Sequence, residues 1–343
     1  MRYKFFSNSE KTWQAMFKTI QSAQESVYLE MFIFNDDMSE FNFFKLLEQK
    51  ARSGVRVRII LDSFGSVGLS RQAVAGLRQA GAELFFVSYF LYHTHRKILV
   101  IDEKTAFIGG VNFHQSSWFW NDLAVQVRGR LVKFITQSFA KVYAECGGTD
   151  IKILEQNKKI ISSKTRTWLV EHFPVSGKYR LKKIYKEHIE KAEKNIILIT
   201  PYFVPKRWLV AVLHQAVLRG VKVEVLVPKN TDHFILDRVN YFYMNKLSKF
   251  GVDFYFEEKM NHAKVMVIDS KEGIVGSNNL DYFSFELNSE IGVFLKDKEV
   301  VQRLLKIVEE WKGGSVLFEL KNYKPKWFDY FFFLIIRFFS DIL

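Results

Sequence analysis

The sequence contains little cysteine, proline and glycine, and each shortage excludes a class of protein. Among 343 residues there is one cysteine, Cys146, which excludes a disulfide framework and a cysteine-based zinc site. Five prolines and 18 glycines exclude a collagen-like or linker-rich chain. The lone thiol is consistent with a reducing compartment, and we expect it to be inert.

Long apolar runs are missing as well. No stretch of 18 or more apolar residues occurs, so the sequence predicts no membrane-spanning helix. The opening segment, MRYKFFSNSEKTW, lacks the apolar stretch and the small-residue cleavage site of a signal peptide. The hydrophobic fraction of 48% and the charged fraction of 25% are ordinary for a globular protein, which excludes a disordered or fibrous chain.

Two features of the composition are unusual. The formal net charge is +13, which predicts an anionic partner such as nucleic acid, a lipid head group or a phosphate ester. Phenylalanine occurs 34 times, and aromatic residues make up 16% of the chain. This aromatic content favours a membrane surface as readily as nucleic acid.

The chain repeats itself at an offset of 167 residues. Residues 17–62 and 184–228 each read as a helix, a strand, a helix ending at a glycine, and a further strand. Strands that alternate with helices predict an α/β fold. We therefore predict two homologous halves, 1–150 and 151–323, each a mixed β-sheet flanked by helices. A pseudo-two-fold axis would relate them, with the active site between them.

The end of each repeat carries the same motif, H-x-K-x4-D-x6-G-x-x-N. Given the frequencies of these residue types, two chance copies in register are improbable. The motif residues are His95, Lys97, Asp102, Gly109 and Asn112 in the first copy, and His262, Lys264, Asp269, Gly276 and Asn279 in the second.

The spacing within the motif predicts which side chains act together. Alternate side chains of a strand share one face, so His95 and Lys97 should point one way and Asp102 the other. The same holds in the second copy, so we predict that Asp102 and Asp269 are structural. Each motif asparagine is expected on the next strand, as a donor to a phosphate oxygen.

Two histidines, two lysines and two asparagines that converge form a phosphodiester site without a metal or cofactor. The lysines would supply the charge stabilisation that a divalent ion otherwise provides. One neutral imidazole would attack phosphorus, and the other would protonate the departing alkoxide and then deprotonate the incoming hydroxyl. The sequence is nearly symmetric and does not decide which histidine does which.

The doubled motif resembles that of the phospholipase D superfamily over about residues 13–312, and the chain is most similar to the bacterial cardiolipin synthases. The similar segments are LEMFIFNDD, IGGVNF, TPYFVP and NSEIGV. The resemblance implies a phosphatidyltransferase that makes cardiolipin from two phosphatidylglycerol molecules and releases glycerol through a phosphohistidine. The alternatives are a phosphodiesterase or nuclease that uses water, and a catalytically inactive lipid-binding protein.

The resemblance also implies roles for individual residues. His95 would be the nucleophile and His262 the acid. Asp122 and Glu290, which follow the motif histidines by 27 and 28 residues, would orient them, with Asp122 contacting His95. Two positions depart from the usual pattern. Gly110 stands where the second half keeps Ser277, and Asp122 is one methylene shorter than the usual glutamate.

Two regions suggest a membrane partner. Residues 151–210 hold 14 Lys and Arg against 5 Asp and Glu, either as a solvated face or as a docking surface for anionic lipid. The tail, 324–343, is too short and too charged to span a bilayer but suits an interfacial helix. Aromatics at 118–120 fit a lipid entrance or the core. We expect a peripheral protein on the cytoplasmic side of a bacterial membrane, without the N-terminal anchor common in cardiolipin synthases, and nucleic acid is an unlikely partner.

Overall fold

Two mixed β-sheets, one from each half of the chain, form the centre of the molecule. The computed structural model describes residues 2–87, 92–158, 167–177 and 179–320. The first half contains β1 (Arg2–Asn8), α1 (Ser9–Gln21), β2 (Ser26–Met31), α2 (Phe43–Arg52), β3 (Arg56–Asp62), α3 (Arg71–Gln79), β4 (Glu83–Val87), β5 (Ile98–Ile101), β6 (Thr105–Gly109), β7 (Asn121–Arg128), α4 (Arg130–Glu145) and α5 (Ile151–Lys158).

The second half repeats the order from β1 to α4, has no counterpart of α5 among its described residues, and adds one short helix and one short strand. It contains β8 (Thr167–His172), α6 (Arg180–Lys191), β9 (Asn195–Ile199), α7 (Arg207–Leu218), β10 (Lys222–Pro228), α8 (Phe234–Ser248), β11 (Asp253–Glu257), β12 (Val265–Ile268), β13 (Glu272–Gly276), α9 (Tyr282–Glu286), β14 (Glu290–Leu295), α10 (Lys298–Gly313) and β15 (Val316–Leu317). Single 3-10 turns lie at Gln115–Ser117 and Pro174–Ser176.

The two sheets have the same strand order. The first sheet runs β4-β3-β2-β5-β6-β7-β1, and the second runs β15-β11-β10-β9-β12-β13-β14-β8. In each, three strands joined through helices are parallel, and the strands that follow are antiparallel, the first two of these joined by a tight turn. Helical crossovers give parallel neighbours and tight turns give antiparallel ones, so both sheets are mixed. The predicted fold of two α/β halves is confirmed.

Matched glycines allow the helix-to-strand turns of the two halves. Gly54 follows α2 with φ of +88°, and Gly220 follows α7 with φ of +84°. Backbone with positive φ is costly for a residue with a Cβ atom, so glycine ends the helix and lets the chain turn into the next strand. Glycine at these two equivalent positions therefore gives both halves the same helix-to-strand turn.

A shared hydrophobic core holds the two halves together. Buried side chains of both sheets pack in one cluster, among them Val100 and Val125 from the first sheet and Val265 and Val293 from the second. Helices α4 and α10 contribute to the same cluster. Two further clusters lie on the outer faces, under α1 to α3 and under α6 and α7. The sheets thus face each other across a common core. The histidines and asparagines of both motifs lie at the same edge of this pair of sheets.

No helix in the described ranges is long and apolar enough to cross a bilayer. The predicted interfacial tail, 324–343, lies outside the described residues, as does part of the basic region. Within that region α6 presents exposed Lys182, Lys183, Lys186 and Lys191, and two of these lie near glutamates one turn away.

Candidate active site

The two motifs end at the same edge of the paired sheets. His95 and Lys97 lie in the extended segment immediately before β5, and His262 and Lys264 lie immediately before β12. We expected these residues within the strands, and the structure places them just ahead of the first strand hydrogen bonds. All four side chains are buried.

Backbone bridges between the halves bring the motifs together. The amide of His95 donates to the carbonyl of Ser289, 2.9 Å away, just before Glu290 on β14. In the other direction the amide of His262 donates to the carbonyl of Asn121, 2.7 Å away, just before Asp122 on β7. Each histidine is therefore fixed to the strand that carries the other half's carboxylate.

The histidine–carboxylate contacts follow these bridges and correct one expectation. His95 Nδ1 lies 3.0 Å from Glu290 Oε1, and His262 Nδ1 lies 2.9 Å from Asp122 Oδ2. The expected contact of Asp122 with His95 is wrong, because the carboxylates are exchanged between halves. Each carboxylate accepts a hydrogen bond from Nδ1–H, so in the neutral ring Nε2 carries the free lone pair.

The two carboxylates have different surroundings. Glu290 accepts hydrogen bonds from the hydroxyls of Ser277 and Ser284, the latter at 2.7 Å. Asp122 has the backbone amide of Leu123 at 2.7 Å instead. At Gly110 a Cβ atom would lie 2.3 Å from Asp122 Oδ1, so the missing serine leaves room for the shorter carboxylate.

Both lysines are held by their own motif. Lys97 Nζ donates to the carbonyl of His95 at 2.8 Å, and Lys264 Nζ donates to the carbonyl of His262. Burial lowers the pKa of Lys97 to about 7, against the opposing effect of Glu290. Burial likewise lowers the pKa of Lys264 to about 8. Buried ammonium groups gain most from an anion that enters the site.

Burial also shifts the pKa values of the two histidines and of Glu290. It lowers the pKa of His95 well below its usual range, and Lys97 and Lys264 act in the same direction. It lowers the pKa of His262 to about 4, although Asp122 acts to raise it. Burial raises the pKa of Glu290 to about 7. Near neutral pH the imidazole of His95 is therefore neutral, as a nitrogen nucleophile requires.

The motif asparagines lie three residues past the ends of β6 and β13, in loops at the same edge, and not on the strands as expected. The carbonyl of Asn112 accepts from the Trp13 indole at 2.9 Å. The backbone amide of Asn279 donates to the Ser284 hydroxyl at 2.9 Å. Oδ1 of Asn279 is buried without a hydrogen-bond partner in the described part of the chain.

Asp102 and Asp269 lie at the opposite end of their strands from the histidines. Asp102 accepts from the amides of residues 24–26, and Asp269 from those of residues 193–195. Both have positive φ, 50° and 52°. These contacts tie the β5–β6 and β12–β13 turns to the start of β2 and β9.

The motif glycines allow the carboxylate strands to approach. A Cβ atom at Gly109 would lie 2.1 Å from the carbonyl of Leu123, and one at Gly276 would lie 2.9 Å from that of Ile291. Both carbonyls belong to residues that directly follow the carboxylates. Glycine at these positions therefore lets β7 and β14 carry Asp122 and Glu290 to the histidines.

Several residues beside the histidines were not singled out from the sequence. The Phe32 ring lies 4.8 Å from that of His95, and the Tyr202 ring lies 6.4 Å from that of His262. Both lie in the loops after the equivalent strands β2 and β9, within the segments LEMFIFNDD and TPYFVP. Ser284 was also missed, and its signal is the Asp281-x-x-Ser284 spacing of a helix N-terminus.

Within the described ranges, no three His, Cys, Asp or Glu side chains are grouped so that they could hold a metal ion. The cationic groups that line the site are the two lysines. The arrangement suits an anionic, tetrahedral group placed between the two imidazoles.

Comparison with known proteins identifies the family. The model described as "Cardiolipin synthase, PLD-like domain" matches residues 16–145 and 185–311, which is most of the chain. The chain belongs to this family. Its matched segments contain both motifs and both orienting carboxylates.

Curated cardiolipin synthases resemble the chain over most of its length. A probable cardiolipin synthase of Bacillus subtilis, YwiE, is 30% identical over 326 residues, covering 90% of this chain and 65% of the relative. The cardiolipin synthase of Geobacillus kaustophilus is 29% identical over 332 residues, covering 91% and 66%. The chain thus spans just under two thirds of the length of these relatives.

Solved structures share the fold of this cardiolipin synthase family member. Phosphatidylserine synthase of Haemophilus influenzae superposes with a TM-score of 0.79 at 14% identity, covering 99% of this chain and 94% of that one. Polyphosphate kinase of Porphyromonas gingivalis gives 0.66 at 10% identity, covering 100% and 54%. At these identities the likeness concerns the fold.

Proposed function

We propose that this protein is a phosphatidyltransferase that makes cardiolipin from two phosphatidylglycerol molecules, through a covalent phosphohistidine. The observation that carries the proposal is the exchanged pairing, in which each motif histidine is held by a carboxylate of the other half. Binding an anion does not require two oriented imidazoles, whereas double displacement at phosphorus does. The family relatives support the lipid substrate.

In the first step Nε2 of His95 attacks the phosphorus of one phosphatidylglycerol. A P–N bond forms and the P–O bond to the terminal glycerol breaks. His262, which takes up a proton from solvent as the phosphodiester anion binds, donates that proton so that glycerol leaves as a neutral alcohol. Asp122 supports this assignment, because it acts to raise the pKa of His262 and makes that imidazole the easier to protonate. Lys97 and Lys264 stabilise the charge on the phosphoryl oxygens.

In the second step the terminal hydroxyl of another phosphatidylglycerol attacks the same phosphorus. Neutral His262 accepts the hydroxyl proton, a new P–O bond forms, and the P–N bond to His95 breaks. The site returns to its starting protonation state, and the sum is two phosphatidylglycerol molecules converted to cardiolipin and glycerol. Water in place of the second lipid would give phosphatidic acid by the same steps.

The decisive test is a product analysis on phosphatidylglycerol vesicles by mass spectrometry, with digestion of single-stranded DNA measured alongside. Cardiolipin with released glycerol supports the proposal. Phosphatidic acid alone identifies a hydrolase, and cut DNA with untouched lipid identifies a nuclease. His214→Ala is the matched control for the motif-histidine variants, because His214 stacks on Phe250 on the outside of the second half.

We further propose that the protein acts as a peripheral protein on the cytoplasmic side of a bacterial membrane. Exposed lysines on α6 and the aromatic tail support this location. Deletion of residues 326–343 should weaken binding to anionic vesicles while the remaining chain keeps its circular dichroism spectrum. Unchanged partitioning would remove the tail from the proposal.

A further inference from the structure

Four strongly exposed phenylalanines lie in segments that also carry residues beside the two-histidine site. Phe64 is 71% exposed, Phe119 75%, Phe234 65% and Phe283 54%. Single exposed apolar residues are normal on a protein surface, but four side chains this large in segments next to one site need an explanation.

Short chains of contacts connect the first two phenylalanines to the histidines. The ring of Phe64 lies 5.2 Å from that of His93, which lies 6.3 Å from Phe32 beside His95. Phe119 directly precedes Trp120, whose ring lies 5.6 Å from that of His262. Phe64 and Phe119 are therefore connected to opposite histidines through their neighbours.

The other two phenylalanines are connected in the same way. Phe234 follows His233, whose ring lies 5.9 Å from that of Tyr202, beside His262. Phe283 precedes Ser284, whose hydroxyl binds Glu290, the partner of His95. Phe234 is the first residue of α8 and Phe283 the second residue of α9.

The four positions follow the internal symmetry of the fold. Phe64 and Phe234 lie in the connections that leave the equivalent strands β3 and β10. Phe119 and Phe283 lie in the connections that follow the two motif asparagines. Because each half contributes two at equivalent connections, the phenylalanines come from both sides of the site. We call this set of four residues the rim.

We propose that the rim docks on a phospholipid bilayer, with the four rings inserted at the boundary between head groups and acyl chains. The inference rests on the proposed lipid substrate. Phenylalanine at that depth removes apolar surface from water, and the buried Lys97 and Lys264 behind the rim complement a lipid phosphate. Docking in this orientation would let the head group reach the histidines while the acyl chains stay in the bilayer.

Charges at the entrance do not supply the affinity for an anionic partner. Exposed Asp37 and Asp232 lie close enough to His114 to act on its pKa, and His114 packs against Trp120. These carboxylates would repel a phosphate backbone and an anionic bilayer surface alike, whereas a bilayer also offers an apolar interior to the rings. The apolar rings therefore supply the affinity, and rim-dependent binding should persist in high salt, which screens attraction between lysines and lipid.

The first experiment compares paired variants of the full chain. Phe64→Ser with Phe119→Ser removes the first-half pair, and Phe234→Ser with Phe283→Ser removes the second. Leu218→Ser with Phe250→Ser is the control. Leu218 ends α7 and Phe250 follows α8, so both are exposed apolar residues at the ends of helices that begin near the entrance.

Partitioning is measured by sedimentation on vesicles of phosphatidylcholine and phosphatidylglycerol in low and high salt. We expect each rim pair to weaken partitioning in high salt by about ten-fold or more, because two large rings lose their apolar environment. The control should stay within about two-fold of the parent, which is the size of an ordinary surface effect. Equal partitioning of rim and control variants would overturn the proposal.

The second experiment reports which face meets the lipid. In a Cys146→Ala background, Phe119→Cys or Leu218→Cys carries an environment-sensitive dye. A blue shift on vesicles at position 119 and none at 218 supports the proposal, and the reverse pattern overturns it. Neither result depends on turnover, so docking through the rim with no lipid product would refute the proposed function and leave the docking surface intact.

Discussion

The two sides of the active site share a backbone plan but differ in chemistry. On one side His95 is held by Glu290, which two serine hydroxyls support. On the other side His262 is held by the shorter Asp122, which has space only because residue 110 is glycine. The repeat thus sets the framework, and a few side chains make the two histidines unequal.

This difference between the two sides affects which histidine acts as the nucleophile and which as the acid. Burial and the two lysines lower the pKa of both histidines, and a carboxylate opposes the effect at each, Asp62 at His95 and Asp122 at His262, where Asp122 also bonds the ring. A general acid must bind a proton during the reaction, whereas a nucleophile must stay neutral. The bond to Asp122 therefore agrees with our proposal that His262 is the acid and His95 the nucleophile, which the near-symmetric sequence left open.

The largest expected effect comes from removing either histidine. His95→Ala and His262→Ala should each lower turnover of phosphatidylglycerol by about 10⁴-fold or more, since each removes a reacting group. An activated ester with a nitrophenolate leaving group separates their roles. That leaving group needs no acid, so single-turnover nitrophenolate release should survive in His262→Ala and vanish in His95→Ala. Survival in His95→Ala instead would reverse the assignment.

Exchanging the small residues behind the carboxylates should have a smaller, unequal effect. Gly110→Ser places a Cβ atom against Asp122 and moves this carboxylate off His262, so we expect kcat/KM to fall about 100-fold, a large share of one general acid's contribution. Ser277→Gly removes one donor to Glu290 while the Ser284 hydroxyl remains, so a fall of about ten-fold is expected. Equal losses in the two variants would mean that the asymmetry has no catalytic consequence.

The lysines predict a shift between two pH profiles. Burial lowers the pKa of Lys97 to about 7 and that of Lys264 to about 8 in the free site. A bound phosphodiester anion favours the protonated lysines, so their pKa values rise on binding. The basic limb of kcat should therefore lie at higher pH than that of kcat/KM, because kcat reports the complex. If the basic limbs of the kcat and kcat/KM profiles coincide, the charged lysines are not the groups that contact the bound phosphate.

Much of the fold was predictable because it rests on local chemistry and on repetition. The helix–strand alternation, the glycines after α2 and α7, and the doubled motif together predict two α/β halves with a shared site. The pattern also predicts that Asp102 lies away from His95, since strand alternation depends only on spacing.

The pairing across the site was not predictable in the same way. A carboxylate 27 residues after a histidine suggests a partner within the same half, but Asn121 and Ser289 bridge to the opposite half. These bridges exist only once the sheets face each other, so no local spacing signals them. Of the rim, the sequence singled out only the segment with Phe119, 118–120, as a possible lipid entrance, because the four members lie far apart in sequence.

The smallest expected effect compares the two structural aspartates. Although partial burial alone would raise it, three backbone amides hold the pKa of Asp102 below its usual range, and the same is true of Asp269. Asp102→Asn and Asp269→Asn should each lower the free energy of unfolding at pH 7 by about 1 to 2 kcal/mol, the contribution of a partly exposed charged hydrogen bond.

The pH dependence of this loss identifies its cause. A carboxyl group whose pKa is depressed by folding stabilises the native state above its unfolded pKa, about 3.9 for aspartate, and this contribution disappears as the pH falls through the folded value. Urea unfolding should therefore show the two variants converging on the parent in acid, by equal amounts in both halves. A loss that persists in acid would mean that shape, and not charge, matters at these turns. A larger loss in one half would show that the asymmetry of the site extends to the framework that carries it.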